Sequence, residues 1–143
     1  MGPLRYPVPA YDALLFDNDG ILVTPPSYDT HFGAARAAFA DHGVDAPEAH
    51  VDAITFSTDP DRLREIARHH GLDPAALWNA REHHDERVQI EQFEAGARTL
   101  YDDVDALGTL SRPCGVVSNN HHSTVEWLLA HFDLHDPFET FYG

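Results

Sequence analysis

Asp12-Ala13-Leu14-Leu15-Phe16-Asp17-Asn18-Asp19-Gly20-Ile21-Leu22 is the stretch on which the fold of this chain turns. Ala13 to Phe16 is a short unbroken apolar run, the pattern of a strand buried on both faces of a parallel sheet. It puts the first ordered element at Asp12 to Asp17. Asn18-Asp19-Gly20 then breaks the run with turn chemistry. Ligands of open α/β sheets bind at the carboxyl ends of strands, and two carboxylates stand at such an end here. Alternation along a strand points i and i+2 the same way, so Asp17 and Asp19 are expected to face one small ligand. Gly20 lets the chain turn sharply behind them.

A paired carboxylate of this kind has two uses. Both acids help to hold a hard cation such as Mg²⁺, which prefers oxygen ligands. Alternatively, one attacks a phosphorus atom while the other handles protons, since Asp is a covalent nucleophile in phosphoryl transfer. A calcium loop uses a similar run but needs a Glu at its twelfth position. Counting from Asp17 that position is Tyr28, so the calcium reading fails.

Outward from this stretch, Thr24-Pro25-Pro26-Ser27 is a connector, and the pattern from Tyr28 to about Gly96 is helical. Thr30 to Asp41 is Ala-rich and stops at Gly43. Ala46 to Thr55 reads as a further short helix. Asp59-Pro60 and Asp73-Pro74 are helix starts, with Asp capping free N–H groups and Pro in the first turn. The first of these helices carries Leu63, Ile66 and Ala67 on one face. The second is long, extending to about Ala95, with Leu77, Trp78, Val88 and Phe93 among its apolar positions. Beyond it, Val104 to Leu110 reads as a short helix and Gly115 to Ser118 as a second buried strand. Ser123 to Phe132 reads as a helix and Phe138 to Tyr142 as a third strand. This alternation predicts an α/β fold with a parallel sheet and right-handed crossovers. Val116-Val117-Ser118-Asn119 puts a hydroxyl at a strand end before a turn and helix, where it can hydrogen-bond a phosphate oxygen. The same pair is also ordinary turn chemistry.

Composition bounds the function. Of 143 residues, 43% are hydrophobic, enough for a core in one domain. No run approaches a membrane span, and Met1 to Ala10 holds no apolar stretch of signal-peptide length, so a cytoplasmic protein with no membrane partner is expected. Twenty-four acidic residues against nine basic ones give a net charge of −15, and every basic residue is Arg. Such a surface repels phosphate backbones and argues against nucleic acid as a partner. Asp-rich, Lys-free composition also fits a halophilic protein, because molar salt shortens the Debye length to about 3 Å; a GC-rich genome has the same effect on Lys. Cys114, the single cysteine, rules out an intrachain disulfide and reads as a buried inert thiol.

Together, Asp17 to Leu22 and Ser118-Asn119 resemble the haloacid dehalogenase-like (HAD) hydrolase superfamily. The first motif of that family is a strand ending Asp-x-Asp-Gly-(Thr/Val/Ile)-Leu. Its second is a hydrophobic strand ending in Ser or Thr. The resemblance implies a partial Rossmann-like parallel sheet core, residues 1–27 and 97–143, with an inserted α-helical cap, residues 28–96. It places the hinge for cap motion between Gly20 and Ser27. It implies that Asp17 is the nucleophile and Asp19 the acid and base. Mg²⁺ would be held by the Asp17 carboxylate and the Asp19 backbone carbonyl, and Ser118, Asn119 and Gly20 would form the phosphoryl-binding site. An acid at position 19 favours phosphate esters over carbon–halogen bonds. The implied activity is hydrolysis of a small phosphorylated metabolite, with a phosphomutase or a non-catalytic binding or assembly domain as alternatives.

The chain departs from the family downstream of Ser118. There the family places a Lys and one or two further metal-binding Asp, and this sequence has no Lys. Asp136 and Glu139 precede the expected strand end. The chain therefore reads as a fragment, a clipped chain or a naturally short homologue whose core is incomplete at its C-terminus. A homodimer covering the open sheet edge is the corresponding partner expectation.

Eleven His complete the picture. His69-His70, His83-His84 and His121-His122 are adjacent pairs, and neighbours on a helix point about 100° apart and chelate poorly. Only His131 and His135 have i, i+4 spacing. The pairs read as solvated surface side chains, with His121 the one placed to line the phosphate pocket. Zinc finds little support in these spacings.

Overall fold

The structure, a computed structural model, describes residues 11–56 and 59–143. The expectation for Met1 to Ala10 lies outside the described residues. The element order is β1 (Leu14–Phe16), α1 (Tyr28–Asp41), α2 (Glu48–Thr55), α3 (Pro60–His69), α4 (Pro74–Glu94), a 3-10 helix (Asp102–Thr109), β2 (Cys114–Val117), α5 (His122–His131) and β3 (Phe138–Tyr142). The strands form one parallel sheet in the order β1-β2-β3, with Leu14 beside Cys114 and Phe16 beside Val116. The α/β class with a parallel sheet is therefore the observed fold. The helix expected over Val104 to Leu110 winds as a 3-10 helix and spans Asp102–Thr109, two residues earlier at its start.

The caps explain why the helices start where they do. The Asp59 side chain accepts hydrogen bonds from the N–H groups of Asp61 and Arg62, and Asp73 accepts one from Ala76. Ser27 caps α1 through Thr30, which starts that helix two residues before the position read from composition. Among the described residues, four α-helices and the 3-10 helix lie between β1 and β2. Ala35, Ala38, Phe39, Val51, Ile54, Ile66, Ala67 and Leu77 close the α-helices around a core of their own. Burial and the neighbouring imidazoles of His69 and His50 hold the His70 imidazole below its ordinary pKa at the edge of this unit.

Two expectations about burial fail. The first strand is an edge strand of three residues, and Leu15 is 70% exposed on it. Leu14 and Phe16 pack against the core of Leu22, Val104, Val116, Val125, Leu129 and Phe138, while nothing among the described residues covers the face that carries Leu15, Val117 and Tyr142. The apolar run reflected a strand built for two covered faces; one is covered here. The second failure concerns α4. Its buried positions are Leu77, Arg81, Asp85, Gln89 and Phe93, a stripe at i, i+4 spacing that is polar in its middle. Trp78 and Val88 are only half-buried. Buried polar groups persist when they are hydrogen-bonded: Gln89 Nε2 donates to Asp85 at 2.6 Å, and Arg81 donates to the Thr55 carbonyl and to Glu82, each at 2.6 Å.

The two segments joining the helices to the sheet pair with each other. The Thr24 N–H donates to the Thr99 carbonyl at 2.9 Å, the Tyr101 N–H to the Leu22 carbonyl at 3.0 Å, and the Thr99 N–H to Thr24 Oγ1 at 3.0 Å. Cys114 is buried and free. No helix among the described residues is long and apolar enough to cross a membrane.

Candidate functional site

Strand β1 ends at Phe16, so Asp17 already belongs to the turn. The side-chain alternation that was to aim Asp17 and Asp19 together does not apply beyond Phe16. Other forces orient the two acids. The backbone carbonyl of buried Asn18 accepts N–H groups from Ile21, Leu22 and Val23 at 3.2, 2.8 and 3.2 Å. Three donors on one carbonyl fold the chain back tightly, and Gly20 takes φ +78 within that turn.

The parallel register sets Phe16 beside Val116, so Asp17 emerges next to the end of β2. It is exposed and lines an open cleft of about 380 Å³ with Phe16, Val117, Ser118 and Asn119. Its Oδ1 accepts the Asn18 N–H at 2.8 Å. Ser118 Oγ accepts the Asn120 N–H at 3.0 Å, which leaves its own proton to donate.

Asp19 is held differently. Its Oδ1 accepts from Arg98 Nη2 at 2.7 Å and its Oδ2 from Asn120 Nδ2 at 2.7 Å. Arg98 is nearly enclosed: its Nη1 donates to Gln89 Oε1 at 2.7 Å, its Nε to the Thr24 carbonyl at 2.8 Å, and its guanidinium lies 4.3 Å over the Phe93 ring. Burial pushes the Arg98 guanidinium down from its ordinary pKa, against the opposing pull of Asp19. Gln89 passes the network to Asp85 (2.6 Å) and to Asn120 (3.1 Å), and Asp85 meets His31 Nδ1 at 2.6 Å. A chain of polar contacts thus runs from the helical core to the acid beside the sheet.

Sequence reasoning missed Arg98, Asn120 and Gln89. The available signal was thin: Arg98 is the only basic residue between Arg87 and Arg112, in a chain poor in cations. Other candidates lie elsewhere. His121 Nδ1 turns to Ser123 Oγ at 2.7 Å and His122 stacks on Phe141 with centroids 4.9 Å apart, so these two rings are engaged at the start of α5. His131 stacks on Trp127 at the end of α5, and His135 lies beyond it. Asp136 precedes β3 and lines, with Arg112 and Cys114, a separate cavity of about 560 Å³ at the opposite end of the sheet.

For a hard divalent cation the donor set is partial. Asp17 offers an exposed carboxylate whose Oδ2 accepts no hydrogen bond among the described residues. The Asp19 carboxylate is occupied by Arg98 and Asn120, so only its backbone carbonyl remains for a metal. One carboxylate and one carbonyl fit Mg²⁺, which keeps several waters.

No protein-family model matches the sequence, and no curated protein matches it. Solved structures do match in fold. A Clostridium difficile protein assigned as a phosphatase superposes with a TM-score of 0.58 at 16% identity over 95% of this chain and 62% of its own. A Thermotoga maritima protein assigned as a beta-phosphoglucomutase gives 0.57 at 17% identity, over 92% and 60%. A HAD-type hydrolase from Bacillus subtilis, bound to magnesium, gives 0.52 at 17% identity, over 92% and 63%. At such identities the likeness establishes the fold, which is that of HAD-like hydrolases. The chain spans about 60% of the length of these structures.

Proposed function

We propose that this chain carries the phosphoryl-accepting site of a Mg²⁺-dependent phosphatase that hydrolyses a small phosphate monoester. The reading is carried by one observation: Asp17 opens onto the same cleft as Ser118 and Asn119 at the carboxyl ends of β1 and β2. The Asp17 carboxylate attacks phosphorus, forming an aspartyl-phosphate as the ester oxygen leaves. Asp19 gives that oxygen a proton and then takes one from the water that hydrolyses the intermediate. To do so Asp19 turns one oxygen away from Asn120 or Arg98, both of which hold it when the site is at rest. The Ser118 hydroxyl and the Asn119 amide donate to phosphoryl oxygens, and Gly20 keeps the turn tight beside them. When bound, Mg²⁺ offsets the repulsion between a dianionic phosphate and a carboxylate. The Asp17 carboxylate and the Asp19 carbonyl would hold it. Arg98 supplies the nearby positive charge that a Lys-free chain otherwise lacks. The helices between β1 and β2 act as a cap over the cleft.

The test is phosphate release from p-nitrophenyl phosphate with Mg²⁺. Asp17→Asn is expected to lower the rate by about 10⁴-fold or more, because removing a nucleophile removes the covalent route. A wild-type chain that binds phosphate but releases none would replace this reading with a non-catalytic binding domain. Release of an isomerised sugar phosphate instead of free phosphate would favour the phosphomutase reading, to which the fold shared with the Thermotoga maritima protein also points.

A further inference from the structure

Three imidazoles meet on the helical unit, in a cluster apart from Asp17 and Asp19. His50 lies in α2, His69 ends α3, and His70 is the residue that caps α3. One ring nitrogen from each falls within 4.8 Å of the others. His50 Nδ1 is 2.8 Å from His70 Nε2, and the three ring centroids are 5.2, 5.1 and 4.9 Å apart. Adjacent His on a regular helix diverge. Here His70 has left the helix, with φ −94 and ψ 5, and its ring stands edge-on to the Phe39 ring at 5.4 Å. That departure turns an adjacent pair toward each other and toward His50.

We propose that His50, His69 and His70 form a binding site for a first-row transition-metal ion, Zn²⁺ foremost. Imidazole nitrogen suits Zn²⁺, Cu²⁺ and Ni²⁺, whereas Mg²⁺ and Ca²⁺ take oxygen donors. Four-coordinate zinc sits about 2.0–2.1 Å from each nitrogen, which sets neighbouring ligand nitrogens about 3.3 Å apart. The nitrogens at 2.8 Å therefore move apart slightly, and His69 swings in. The close pair now shares one ring proton in a hydrogen bond. On binding, that proton moves to the other nitrogen of its own ring, so neutral imidazoles release none. Three protein ligands leave a fourth position to water. The bound ion clamps α2 to α3. Among the described residues the other adjacent pairs lack such company: His84 Nε2 is engaged with Asp41 at 2.7 Å and His121 with Ser123.

The experiment uses the full chain, stripped with a chelator. Zn²⁺ is titrated by calorimetry and Co²⁺ by its visible d–d absorption, with thermal unfolding followed with and without Zn²⁺. Uptake of one ion per chain, with a higher unfolding temperature, is expected. His69→Gln and His50→Gln should each weaken binding by more than the about 10–100-fold typical of losing only a supporting partner of a ligand. The unfolding shift should vanish with the binding. His69 is exposed, so His69→Gln leaves the fold intact. His84→Gln should bind as the wild type does, which separates this site from the other His pairs. Absence of uptake by the wild type, or equal affinity in His69→Gln, would overturn the proposal.

Discussion

The helical unit and the sheet solve burial in opposite ways. Around Phe39 the helices α1 to α4 enclose a core from all sides, with Ala35, Ile54, Ala67 and Leu77 fully inaccessible. Among the described residues the sheet has one packed face and one bare face, where Leu15, Val117 and Tyr142 are 70, 45 and 72% exposed. The acids sit on the border between the two, with Asp19 tied to the helices through Arg98 and Gln89 and Asp17 open at the strand tip. Asp17 thus follows directly on β1, the strand whose Leu15 lies bare among the described residues.

The largest effect should come from the closed side. Phe39→Ala leaves a cavity in the helical core and is expected to cost about 3–5 kcal/mol, read as a fall in the urea midpoint. A cost below about 1 kcal/mol would mean that this core yields as readily as a surface. Next comes the border. Arg98→Gln removes a buried cation from Asp19 and leaves the Thr24 carbonyl and Gln89 without their donor. Breaking a buried pair from one side costs about 3 kcal/mol or more. Asp19→Asn in the same background should recover part of that loss, since the uncompensated charge is gone. A double-mutant cycle measures it.

The polar stripe of α4 predicts a smaller effect that depends on pH. Burial pushes the Asp85 carboxyl up, but the His31 hydrogen bond, the charges of Arg81 and His31, and the Gln89 hydrogen bond outweigh it. Its pKa ends below the ordinary value. A carboxyl depressed in the folded state contributes stability that is present above the unfolded pKa of about 4 and lost as pH falls through the folded value. Asp85→Asn should be less stable than wild type at neutral pH and approach it on acidification below about pH 4. Parallel stability curves across that range would remove Asp85 from the account.

What could be read in advance divides along the same line. Caps such as Asp59-Pro60 and Asp73-Pro74 are local chemistry, and they mark α3 and α4 to the residue. Asp17 and Ser118 were legible because strand ends in an α/β alternation are predictable places for ligands. The stripe Arg81, Asp85 and Gln89 was not, because hydrophobic periodicity detects apolar faces, and this face is buried through hydrogen bonds, some of them to the Thr55 carbonyl, Glu82 and His31. Arg98 reaches Asp19 across 79 residues and Asn120 reaches it across 101. His50 meets His69 and His70 only because α3 ends where it does. Contacts made by folding leave no spacing to read.

The smallest expected effect decides whether the bare face is bare in solution. Leu15→Ala on an exposed edge strand should change stability by no more than about 0.5 kcal/mol, against the several for Phe39→Ala. The homodimer expected from the open edge of β1 makes a different prediction. A second copy that covers that edge and reaches onto the adjoining face would shield Leu15. Leu15→Ala would then cost as much as a core truncation at high protein concentration and little at low, since dimer stability follows mass action. Sedimentation velocity over the same concentrations gives the second reading. A species of constant monomeric mass, with Leu15→Ala neutral throughout, rejects the dimer and leaves β1 an open edge. A mass that doubles with concentration, and reverts in Leu15→Glu, means the sheet completes its burial with a copy of itself. The contrast between the two regions would then belong to the isolated chain alone.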